Sequence, residues 1–133
     1  MTLNAYLGFN GNCREAFQHY EKALGGKIVM MMSHADSPAA EHTPPEHLNS
    51  IMHARLVAGD QVLMGSDNPP GVSELPKAFS VNISVTEPAD AERLYAALSE
   101  GGSIQLALQP TFWAKRFAMF RDRFGVPWMI NCE

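Results

Sequence analysis

In "AFSVNISV", Val81, Ile83 and Val85 alternate with Ser80, Asn82 and Ser84. A period of two predicts a strand with one buried and one polar face. An earlier run, "LNAYLGF", is also short and strand-like. Downstream of each, the apolar spacing becomes helical. In "NCREAFQHYEKAL" the stripe is Ala16, Phe17, Tyr20 and Leu24; in "TEPADAERLYAALSE" it is Ala91, Leu94, Tyr95 and Leu98. Asn12 and Glu15 have the form of a capping box. Thr86 is the expected N-cap of the second helix, with Pro88 in its tolerant first turn.

Both helical stretches run into Gly-Gly and then an apolar strand, "GGKIVMMMSH" from Gly25 and "GGSIQLALQP" from Gly101. Glycine is expected there because helices commonly end on a left-handed residue. The first copy continues through "NSIMHARLVAG" and "DQVLMGSD", two strands joined by a tight Ala-Gly-Asp turn. The second continues through "TFWAKRFAMFRD" and "VPWMINC", joined around "RFG". The unit is βαβββ, written twice. It predicts a single domain, 1–133, made of a first module at 1–68 and a second at 77–133. The connector "NPPGVSELPK" holds three prolines and a glycine and reads as a loop.

Composition narrows the function classes. The chain has 133 residues, 46% hydrophobic and 18% charged, with a net charge of −4. These values describe a globular domain rather than a disordered one. Lys and Arg form no cluster, which argues against nucleic acid or an anionic membrane as partner. No signal-like leader opens the chain, and no run approaches the ~18 apolar residues of a membrane span. Cys13 and Cys132 lie at opposite ends with no C-x-x-C spacing. Free thiols in a reducing cytoplasm are the expectation.

The order Tyr6-Leu7-x-Phe9-x-Gly11, Glu15-Ala16, Tyr20, "MHARL" from Met52, "LMGSD" from Leu63, "TFWAKRFAMFRDRFG" from Thr111 and "PWMIN" from Pro127 spans nearly the whole chain. It resembles the PhnB-like branch of the vicinal oxygen chelate superfamily, which includes glyoxalase I, extradiol dioxygenases, and fosfomycin- and bleomycin-resistance proteins. The resemblance implies the α+β glyoxalase/bleomycin-resistance/dioxygenase fold. There, two modules form a curved mixed-sheet cup with helices on the convex side and the ligand inside. It also implies a homodimer. Some members of this branch carry a ubiquinone-pathway methyltransferase label. This chain has no G-x-G-x-x-G and no Gly-rich strand-to-helix loop to support one, and no motif implies a cofactor.

Metal-using members of the superfamily place His, Glu or Gln on the first and last strands of the modules. At the matching positions this chain offers Asn4, Ala5 or Tyr6; Phe79, Ser80 or Val81; Gly65, Ser66 or Asp67; and Met129. Only Asp67 is a good oxygen ligand, and a tight site needs three or four. No tightly bound metal is expected. His34, His42, His47 and His53 crowd a Pro-rich polar stretch, but spacings of eight, five and six match no compact metal motif. A solvated loop is the plainer reading.

Strand parity selects the candidate ligand-binding residues. With Met52, Ala54 and Leu56 packed under the helix, His53 and Arg55 point into the cup. Asn82 and Asn131 face inward by the same rule, leaving Trp128 and Ile130 to the core. The family geometry puts Trp113 and Lys115 on the inward set with Phe117 and Met119. The cations suit a small organic molecule that bears a carboxylate or phosphate. Arg55 could instead pair with Asp67 or Asp122, and Met30-Met31-Met32 reads as packing. His53 could act as a base, but no catalytic constellation is legible, so enzyme activity stays open. A metal-dependent lyase, isomerase or dioxygenase with atypical ligands, and a drug-sequestering protein, remain as alternatives.

Overall fold

A computed structural model describes residues 1–69, 71, 72, 74 and 77–133. The expected connector at 68–77 therefore falls partly outside the described residues. The chain divides into two compact units, Met1–Ser73 and Glu74–Glu133. The first contains β1 (Ala5–Phe9), α1 (Cys13–Leu24), β2 (Lys27–Ser33), β3 (Ile51–Ala58) and β4 (Gln61–Asp67). The second contains β5 (Val81–Val85), α2 (Pro88–Ser99), β6 (Ser103–Gln109), β7 (Arg116–Arg121) and β8 (Pro127–Cys132). Each is βαβββ, and the two sheets have equivalent orders, β1-β4-β3-β2 and β5-β8-β7-β6. The outer pairs β1/β4 and β5/β8 are parallel and the remaining pairs antiparallel. Neither helix is long and apolar enough to cross a membrane.

Most of each helical stripe is buried, with Leu24 and Tyr95 only half-buried. Ala16, Phe17 and Tyr20 of α1 are fully buried with Leu7, Phe9, Ala54 and Leu56 of the first sheet. Gly65 makes this approach possible. A Cβ there would lie 2.8 Å from both the Leu7 carbonyl oxygen and Phe17 Cε1. In the second unit Ala91, Leu94 and Leu98 of α2 are buried with Ala118, Phe120, Trp128 and Ile130. Trp128 and Ile130 thus lie in the core, as parity requires.

Four local expectations need correction. Asn12 makes no side-chain cap on α1. The amides of Gly11 and Cys13 instead donate to Asp67 Oδ1, 3.0 and 3.1 Å away, so a carboxylate from β4 does the capping. Thr86 is not the N-cap of α2; the helix starts at Pro88 with Glu87 before it. Met52 does not pack under α1. The β2/β3 register slips between Met32 and Ser33, which pair with His53 and Ile51 and leave Met52 as the extra residue. Ile51 is buried in its place, and Met52 is exposed. A second slip, between Ile28 and Met30, makes Val29 the extra residue and turns Met30 onto the exposed face beside Arg55. Met30 is therefore surface, not packing. One bulge residue reverses side-chain parity beyond it.

Candidate functional site

The first sheet has one face under α1 and one open face. On the open face a single cross-strand row runs Tyr6, Met64, Arg55, Met30, each paired with the next. Arg55 is exposed between two methionines. Among the described residues it has no ion-pair partner. Asp67, one partner considered for it, lies on the helix side. Its Oδ2 accepts from the Ile51 amide at 2.7 Å, so three backbone N–H groups occupy its two oxygens. Asp122, the other, is likewise committed. Its Oδ1 accepts from Phe124 and Val126 amides, and its Oδ2 from Trp128 Nε1 at 2.8 Å.

His53 is half-buried on the same open face. Tyr6 reaches diagonally over β4 to meet it, with its hydroxyl 3.2 Å from Nδ1 and the rings stacked at 5.8 Å. When the hydroxyl donates, the imidazole proton sits on Nε2, and Nε2–H is available as a donor. The first sheet thus joins a guanidinium unpaired among the described residues, one oriented imidazole and a phenol to an apolar floor of Met30 and Met64. Tyr6 and Met30 were not picked out as ligand candidates. Tyr6 stands next to Leu7 in "LNAYLGF", so alternation could have found it, whereas the bulge that exposes Met30 leaves no mark in the sequence.

In the second unit, Asn82 and Asn131 lie on the face opposite α2. Asn82 donates to Ser84 Oγ at 3.0 Å. Asn131 accepts from Trp113 Nε1 at 3.2 Å and donates to Glu133 Oε1 at 2.8 Å. Trp113 is half-exposed and meets Phe112 and Phe117 edge-on at 4.8 and 5.2 Å. Trp113 and Asn131 are therefore one cluster at the C-terminal end of β8. Lys115 sits at the same end. Its ammonium donates to the carbonyls of Thr86 and Glu133, tying the ends of β5 and β8 together.

At the expected positions the described residues do not gather a ligand set for a tight divalent metal. Among the described residues no group of three or more His, Cys, Asp or Glu side chains could hold one. Asp67, the best oxygen donor at the expected positions, is filled by backbone amides. The His-containing stretch forms two 3-10 turns, Pro38–His42 and Pro45–His47. Backbone bonds from His34 to Ser50 and Ala35 to Leu48 hold their base. Cys13 and Cys132 are unpaired and buried. Burial, reinforced by the Asp67 charge, pushes the Cys13 thiol up to about 12, so it is no nucleophile at neutral pH.

Comparison with known proteins agrees with this architecture. The model of the Glyoxalase/Bleomycin resistance protein/Dioxygenase superfamily matches residues 2–130. Protein YjdN of Escherichia coli (strain K12) is 32% identical over 98% of this chain and 95% of its own length. The crystal structure of protein PA1353 from Pseudomonas aeruginosa superposes with a TM-score of 0.92 at 51% identity, covering 100% of this chain and 98% of that one. A Bacillus cereus PhnB protein, described as a putative 3-demethylubiquinone-9 3-methyltransferase, has the same fold, with a TM-score of 0.84 at 19% identity over the full length of both chains. With its two βαβββ modules and a family match over nearly its whole length, the chain belongs to the glyoxalase/bleomycin resistance/dioxygenase superfamily.

Proposed function

We propose that this chain binds a small organic anion on the open face of its first sheet, without a tightly bound metal. The observation that carries the reading is Arg55, an exposed guanidinium with no carboxylate partner among the described residues, set between Met30 and Met64 beside the Tyr6–His53 pair. Arginine presents five N–H donors in a fork that matches carboxylate or phosphate. The methionine floor suits an apolar body attached to that anion. In this reading Arg55 holds the charge and His53 Nε2 adds a directional contact. Asn82 and Asn131 give the second sheet a polar surface of its own, Trp113 is hydrogen-bonded to Asn131, and Lys115 braces the strand ends.

A homodimer belongs to the same reading. β2 and β6 are edge strands, and Val29, Met30 and Ile104 expose apolar side chains on them. Such edges call for cover.

The test is a thermal-shift screen of small carboxylates and phosphate esters, followed by calorimetry on the wild type and Arg55→Ala. Binding should weaken at least about tenfold in the variant, the loss expected for one charge-assisted contact. A native mass spectrum with metal analysis should show two chains and less than one equivalent of divalent metal. Ligands that bind Arg55→Ala as tightly as wild type, or a full equivalent of metal resisting dialysis, would overturn the proposal.

A further inference from the structure

The second unit contains a groove of about 430 Å3 that plays no part in the proposed function. Its lining comes from Gly101, Gly102 and Ser103, where α2 gives way to β6, and from Arg121 through Gly125, the turn between β7 and β8. Trp113 and Asn131 lie at the other end of β7 and β8. Six residues of strand separate the two places, about 17–20 Å.

The groove is built rather than incidental. Asp122 turns its carboxylate into the core, where Phe124, Val126 and Trp128 donate to it. That fixes the hairpin and leaves the neighbouring arginines on the outside. Arg121 Nη1 donates to the Gly125 carbonyl at 2.6 Å, which orients the guanidinium and leaves its other donors open. Arg123 lies over the Phe124 ring, 4.6 Å from its centroid, and its stem passes the Gly101 backbone. Neither arginine has a carboxylate within ion-pair distance among the described residues. Gly102 brings β6 against the hairpin so closely that a Cβ would collide with the Arg121 carbonyl oxygen and the Asp122 backbone. Gly101 and Gly102 therefore contribute only backbone to the groove wall.

Two arginines without acidic partners among the described residues, lining one cleft beside the Gly101–Gly102 backbone, form an arrangement suited to a tetrahedral oxyanion. We infer that this groove is a second anion site that takes a phosphate group, held between Arg121 and Arg123. The inference does not depend on the Arg55 site.

Titration of the 15N-labelled full chain with inorganic phosphate, against potassium chloride at matched ionic strength, reads the site directly. Amide shifts at Gly101, Gly102, Ser103 and 123–125 should saturate with phosphate and not with chloride. Arg123→Gln should weaken the apparent affinity about tenfold or more, as expected for losing one of two charge-assisted contacts. Arg121→Gln should do the same; Arg123→Gln is the cleaner variant because Arg121 also braces the turn. Arg55→Ala should leave these shifts unchanged, so failure here is separable from failure of the first-sheet reading. Equal shifts with chloride, or an unchanged phosphate response in a folded Arg123→Gln, would overturn the inference.

Discussion

Replacing Asp67 by asparagine removes one charge and keeps the shape, so it isolates what the carboxylate does. Oδ1 accepts from the Gly11 and Cys13 amides, and Oδ2 from the Ile51 amide. The side chain is 9% exposed, so water cannot replace a lost partner. An asparagine oriented to serve Gly11 and Cys13 turns its NH2 toward the Ile51 N–H, donor against donor. The flipped amide serves Ile51 and abandons the other two. Leaving one buried N–H unpaired costs roughly 1–3 kcal/mol, and hydrogen bonds to a charged acceptor are worth more than those to a neutral one. Asp67→Asn should therefore lose about 2–4 kcal/mol in equilibrium urea unfolding, a large share of ordinary domain stability. Hydrogen exchange should locate the loss, with protection falling first at Gly11, Cys13 and Ile51. A variant within about 0.5 kcal/mol of wild type, the range of an ordinary surface change, would refute the account.

Leu56→Ala should cost about 2–5 kcal/mol because Leu56 is 1% exposed under α1, while Arg55→Ala stays within about 0.5 kcal/mol; the reverse order in urea melts would show the sheet inside out. Gly65→Ala should lower stability by about 1–3 kcal/mol, since its Cβ would press on Phe17 and the Leu7 carbonyl; an unchanged melting temperature would show that α1 yields freely. Cys13 gives a pH signature. Its thiol rises from the usual 9.0 to about 12 on folding, so its contribution is full below pH 9 and is lost as pH climbs from about 9 to about 12. Cys13→Ala should flatten the fall of the urea midpoint across that window, and an unchanged slope would contradict the burial argument.

The pattern of apolar positions located the strands and α-helices of both modules, because period two and period 3.6 are local properties, but it missed the 3-10 turns Pro38–His42 and Pro45–His47 and began β7 at Thr111 where the strand starts at Arg116. The boundaries of parity were not local. His53, Arg55, Ala54 and Leu56 fall on the sides that alternation assigns, yet Met52 and Met30 do not, because Met52 and Val29 are bulge residues. A bulge depends on how the partner strand is spaced, and no feature of "SIMHARLV" or "KIVMMMS" alone encodes it. The same limit affected the site. Arg55 and His53 were legible as facing away from the helix. The hydrogen bond that orients His53 comes from Tyr6, 47 residues earlier, and only strand pairing brings the two together.

The two modules also differ where their helices begin, and the difference accounts for the place of Asp67. In register, Asp67 ends β4 opposite Phe9, while Cys132 ends β8 opposite Val85. The repeat thus has a carboxylate at this place in one copy and a thiol in the other. The first residue of α1 is Cys13, whose N–H lacks a helical partner and is answered by Asp67. The first residue of α2 is Pro88, which has no N–H to answer. The need for an acceptor at the strand end disappears with the donor. Asp67 is therefore accounted for by backbone capping, with both oxygens occupied. In the proposed reading, the chemistry of the first sheet then falls to the exposed side, where Arg55 would supply charge and the Tyr6–His53 pair direction.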